Sequence, residues 1–124
     1  MINNIQSIKN AKAIFTDFDG VIKDSVALKG DAFEELFLPI GSEISKKIKL
    51  HHQSHGGVSR YEKLKLYLKW SGMSPSKINL DEYSNRFSKL VKQRVIKSNW
   101  VPGAEIFFHK NPFDQIFFVI TATP

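Results

Sequence analysis

Apolar residues follow two kinds of pattern along this chain, and their order is informative. Residues 12–18, with Ala13-Ile14-Phe15 at their centre, form a short apolar run without polar alternation, which predicts a buried strand. Residues 115–120, containing Phe117-Phe118-Val119-Ile120, form a second. Between them the apolar positions recur at helical spacing. Asp24 or Ser25 is placed to cap a helix that carries Phe33, Leu36 and Phe37 on one face and stops near Pro39. Gly41 opens a second helical stretch through Ile44 and Ile48, which should end near Gly56-Gly57. Ser59-Arg60-Tyr61-Glu62 is a capping box, and Tyr61, Leu64 and Leu68 follow in register until Gly72. A fourth helix begins around 79–81, with Tyr83, Phe87, Leu90 and Val91 facing inward. Residues 98–103 then connect to a short helix over 104–109.

Two apolar strands thus bracket about four amphipathic helices, too large a unit for a simple crossover. The helices read as an insert, and the helix at 104–109 as the true crossover that returns the second strand parallel to the first. The expected class is α/β: a partial doubly wound, Rossmann-like parallel sheet core from residues 1–22 and 98–124, with a helical cap over 23–97. Both strand ends then open on one edge, where open α/β sheets build their sites.

The first strand ends in two carboxylates one residue apart, Asp17 and Asp19, followed at once by Gly20. Adjacent carboxylates repel unless a cation or a proton lies between them, and phosphoryl transfer uses such a pair as nucleophile and acid/base. The stretch Phe15-Thr16-Asp17-Phe18-Asp19-Gly20-Val21-Ile22 with Asp24-Ser25 resembles the first motif of the haloacid dehalogenase superfamily. The tail Phe117-Phe118-Val119-Ile120-Thr121-Ala122-Thr123-Pro124 resembles its second, an apolar strand ending in Thr or Ser. Within that superfamily the likeness is to the phosphoglycolate-phosphatase-like or β-phosphoglucomutase-like branch with a helical cap.

The resemblance implies a Mg²⁺-dependent phosphatase that forms an aspartyl-phosphate on Asp17, with Asp19 protonating the leaving oxygen and then activating water. Asp17 would give Mg²⁺ a carboxylate oxygen and Asp19 a backbone carbonyl. Gly20 would allow a tight turn beside the phosphate and leave its N–H free, while Thr121 and the Ala122 N–H would hold phosphoryl oxygens. Gly56-Gly57-Val58-Ser59-Arg60 resembles a substrate-sensing cap loop, so Arg60 would meet a substrate anion. The superfamily's later Lys and acidic pair would fall beyond Pro124. The chain is therefore expected to be a piece of a longer enzyme with very low activity of its own. The alternatives are a phosphomutase, or an inert fragment that binds an anion or a protein.

Composition narrows this further. The chain has 124 residues, 42% of them hydrophobic and 24% charged, and no cysteine, which excludes a disulfide framework and suits a cytoplasmic protein. No run approaches the roughly 18 apolar residues of a membrane span. Eighteen Lys and Arg against 12 Asp and Glu leave a charge of +6, a field that favours anionic partners. By the resemblance, the favoured partner is a small phosphorylated metabolite. Nucleic acid is disfavoured, because the aromatic residues occupy helix-face and strand positions rather than alternating with basic ones. An apolar strand edge left open would promote homo-oligomers. His51 and His55 stand four apart, one way to bind zinc, but no third ligand is evident and packing histidines are the better reading.

Overall fold

A computed structural model describes residues 2–121, with side chains from residue 6 onward. The described chain is mixed α/β, with six helices and one two-stranded parallel sheet. It divides into two compact units, residues 1–26 with 98–124 and residues 27–97.

The first unit contains α1 (Ile2–Asn10), β1 (Ala13–Thr16), α6 (Ala104–Lys110) and β2 (Ile116–Val119). The strands pair in parallel with Ala13 opposite Ile116 and Thr16 opposite Val119, and the Ile120 N–H extends the ladder to the Thr16 carbonyl at 2.8 Å. Parallel pairing is what the short crossover helix predicted. α1 was not predicted, because residues 1–11 are largely polar. Its end is fastened by Gln115, whose buried amide donates to the Ile8 and Ala11 carbonyls at 2.6 and 2.7 Å. Residues 22–24 run against 99–101, with the Val101 N–H on the Ile22 carbonyl and the Asp24 N–H on that of Asn99, both at 2.9 Å. These bonds join the two chain segments of the unit.

The expectation of a buried first strand is corrected. Side chains alternate between the faces of a sheet, and only one face is covered. Phe117 packs under Phe107 and Phe108, with ring centres 5.5 and 4.8 Å away. On the opposite face Phe15 stacks on its register partner Phe118 at 4.9 Å, and both remain open, Phe15 at 62% exposure. A sheet of two strands has too few neighbours to bury both sides.

The second unit consists of α2 (Leu28–Phe37), α3 (Ser42–Ser54), α4 (Arg60–Trp70) and α5 (Lys77–Lys97). Phe33, Phe37, Ile48, Leu64, Tyr67, Leu68 and Phe87 form its core, all at most 5% exposed. Phe33 is central: Phe87 stacks on it at 4.1 Å and Tyr67 meets it edge-on at 5.2 Å. Burying an aromatic ring of this size contributes roughly 2–3 kcal/mol. Ser59 caps α4 as the capping box predicts, its hydroxyl accepting the Glu62 N–H at 3.3 Å. Two details differ from expectation. Tyr61 points outward and Tyr67 takes the core position, while α2 starts at Leu28 behind Ala27 with no side-chain cap from Asp24 or Ser25.

Candidate functional site

Because the strands are parallel, the chain leaves both at the same sheet edge: Asp17 follows β1 there, and Thr121 lies two residues beyond β2. Thr121 is exposed, and Ala122 lies outside the described residues.

The turn after β1 is built by its own backbone. The Phe18 carbonyl accepts the N–H groups of Val21, Ile22 and Lys23 at 3.3, 2.9 and 3.3 Å. Gly20 sits at φ 76°, the left-handed region that glycine tolerates. A Cβ on Gly20 would stand 2.9 Å from Val26 Cγ2, so a side chain there would have to displace Val26. The expectation that the Gly20 N–H is free is corrected: it donates to the Lys23 carbonyl at 2.8 Å, closing the turn on itself. Lys23 turns away, its Nζ donating to the Ser98 carbonyl at 2.9 Å above the Trp100 ring.

Asp17 is exposed, and its Oδ1 accepts the N–H of the next residue, Phe18, at 2.7 Å. Asp19 is half-buried, and its Oδ1 accepts the Ser25 hydroxyl at 2.6 Å. Ser25 is 1% exposed, so it holds the Asp19 carboxylate from inside the turn. Sequence reasoning gave Ser25 to a helix cap and missed this role. The two carboxylates therefore differ: one is open to solvent, the other oriented by a short hydroxyl bond.

Among the described residues no three His, Cys, Asp or Glu side chains converge. Magnesium requires only one or two carboxylates, with water and phosphate oxygens completing its octahedron. The exposed Asp17 carboxylate and, two residues later, Asp19 are oxygen donors of the type that magnesium takes.

Arg60 belongs to the other unit, at the start of α4. Its Nη1 donates to Ser88 Oγ on α5 at 2.8 Å, its guanidinium lies 5.8 Å from the Phe87 ring centre, and its Nε is buried without a hydrogen-bond partner. The guanidinium is thus already engaged within the helical unit. His51 and His55 stack ring on ring at 3.9 Å, and His51 Nδ1 lies 2.9 Å from the Tyr67 hydroxyl, so the pair packs. Burial holds His51 below the usual imidazole value and pushes the Tyr67 phenol up to about 12.

Some of the residues that make the chain basic are matched by acids. Lys49 is held by Asp31 and Glu34 at 2.8 and 2.6 Å, Lys65 by Glu62 at 2.8 Å, and Arg94 by Glu35. Among the described residues, no helix is long and apolar enough to cross a membrane. No protein-family model, curated protein or solved structure matches the chain.

Proposed function

We propose that this chain carries the phosphoryl-transfer site of a Mg²⁺-dependent phosphatase of the haloacid dehalogenase type, acting on a small phosphorylated metabolite. In this reading the two-stranded parallel sheet is part of a Rossmann-like core and the helices over 27–97 are its cap. The observation that carries the proposal is the shared sheet edge, with Asp17 and Asp19 after one parallel strand and Thr121 after the other. The resemblance of residues 15–25 to the superfamily's first motif adds the chemistry.

Asp17 is the nucleophile. Its carboxylate oxygen bonds to phosphorus while the ester P–O bond breaks, and the departing oxygen takes a proton from Asp19. Water then attacks phosphorus and gives a proton back to Asp19, and the acyl phosphate opens to restore the Asp17 carboxylate and release inorganic phosphate. Ser25 keeps the Asp19 carboxylate in one orientation through both steps. Asp17 and Asp19 would hold the magnesium ion, which lowers the repulsion between a carboxylate and an anionic phosphoryl group. Thr121 would supply a hydroxyl to the phosphoryl oxygens. Asp19 argues for phosphatase over dehalogenase chemistry, since an alkoxide needs an acid and a halide does not.

Beryllofluoride, a mimic of an acyl phosphate, tests this without relying on turnover. With millimolar Mg²⁺, ¹⁹F NMR should show a bound signal that disappears in Asp17→Asn and survives in Ser25→Ala. Absence of a bound signal in the native chain, or its persistence in Asp17→Asn, would refute the assignment of Asp17.

A further inference from the structure

α2 and α5 lie antiparallel along each other, with ring centres 4.1 Å apart at Phe33 and Phe87 and 5.1 Å apart at Phe37 and Tyr83. Beside this seam the surface falls into a groove of about 660 Å³, a size typical of small-molecule sites. α2 supplies its buried Leu36, and the turn after it supplies Leu38 and Pro39. That turn is fixed by its own backbone, with the Ile40 and Gly41 N–H groups on the Phe37 and Leu38 carbonyls, both at 3.1 Å. From α5 come Arg86, Lys89, Leu90 and Gln93, whose spacing places them on one helix face. The groove therefore follows α5 for two turns, about 10 Å.

Its lining combines two chemistries. The apolar members are all aliphatic, a surface that suits a hydrocarbon chain rather than a stacked base. Leu38 is 53% exposed there, an apolar side chain left to water. The rim is cationic. Glu35, the acid in the lining, is bonded to Arg94 and so does not offset Arg86 and Lys89. Arg86 makes an exposed ion pair with Glu82, one turn earlier, at 3.5 Å, and its guanidinium lies 5.0 Å from the Tyr83 ring centre. A pair this exposed holds weakly and leaves most of the five guanidinium donors for a ligand. Among the described residues Lys89 enters no ion pair. The charge that complements this rim is negative, and it must sit at one end of an apolar body.

We propose that this groove binds a small amphipathic carboxylate, with an aliphatic chain lying on Leu36, Leu38, Pro39 and Leu90 and its carboxylate held by Arg86 and Lys89. The site draws on none of the residues assigned to phosphoryl transfer and requires no magnesium. Arg86 sets the head-group preference, because its planar fork matches both carboxylate oxygens while Lys89 adds a point charge. At about 1.2 Å per bond of an extended chain, roughly eight carbons cover the length of the groove.

The test is a titration of the full chain with octanoate, octanol and octylammonium, each below the concentration at which it forms micelles. Chelator is present and magnesium absent, and the methyl groups of Leu36, Leu38 and Leu90 are followed by ¹³C NMR. Octanoate should saturate, octanol should bind several-fold more weakly, and octylammonium should bind weakest. From hexanoate to octanoate the affinity should rise about two- to fourfold per methylene, the upper value being that for full burial. The double variant Arg86→Gln, Lys89→Gln changes two exposed side chains, so the helical unit should keep its fold. It should weaken octanoate roughly three- to tenfold and leave octanol unchanged. Leu38→Ser, also at an exposed position, should weaken both. Shifts that never saturate, equal binding of the three ligands, or octanoate affinity unchanged in the double variant would overturn the proposal. Shifts at the three leucines on concentrating the chain without ligand would give the groove to a second copy, and would overturn it too.

Discussion

Acid should loosen the helical unit at His52 before it protonates most carboxylates. The fold holds this imidazole neutral, with its value lowered from 6.5 to about 4, first by burial and then by the charges of Lys63, Lys29 and His51. A base whose folded value is lowered resists protonation that the unfolded chain accepts. The unfolded chain therefore binds more protons between about pH 6.5 and 4, and stability falls as the pH drops through that window. At roughly 1.4 kcal/mol per unit the shift sets a ceiling of about 3 kcal/mol. The ring is only partly buried, so solvent screening reduces the expected loss to roughly 1–2 kcal/mol. His51, also held low by burial, acts in the same direction.

The groups around His52 define the control. Lys63 faces it from α4 with Nζ 3.1 Å from Nδ1, the charge of Lys29 on α2 disfavours its protonation, and Asp31 and Glu34 are occupied by Lys49. Urea unfolding followed by circular dichroism at half-unit steps from pH 7 to 4.5, in anion-poor buffer, measures the loss directly. His52→Gln keeps a polar side chain beside Lys63 but does not titrate, so its stability should decline less over the same range. Parallel curves for the native and His52→Gln chains would refute the reasoning.

Two further perturbations probe the first unit. Gly20→Ala forces a side chain into the left-handed region and against Val26 Cγ2, and should cost roughly 1–3 kcal/mol of stability; native-like urea midpoints would show that the turn relaxes freely. Phe15→Lys places a charge on the open sheet face beside Phe118, and should reduce concentration-dependent self-association in light scattering. Equal scattering from both chains would mean that this face does not drive association.

What the sequence revealed depended on how many neighbours each position needed. Phe33, Phe37, Ile48, Leu64, Leu68 and Phe87 were legible because several turns of helix repeat the same inward face, and all six are buried. Tyr61 was misplaced because a residue in the first turn after a cap can point outward while the helix still packs. The residue that does pack, Tyr67, stands between Leu64 and Leu68. The strands and their parallel direction were legible from run length and from the crossover helix between them. Their burial was not, since it depends on how many strands flank them. Asp17, Asp19 and Thr121 were nameable because they end apolar runs. Ser25 was assigned to a cap because Ser is a common N-cap residue. Its bond to Asp19 exists only because the chain doubles back through a turn at Gly20. Lys63 carried an unused signal: it stands four residues before Tyr67, on the inward face of α4 where an apolar residue would be expected.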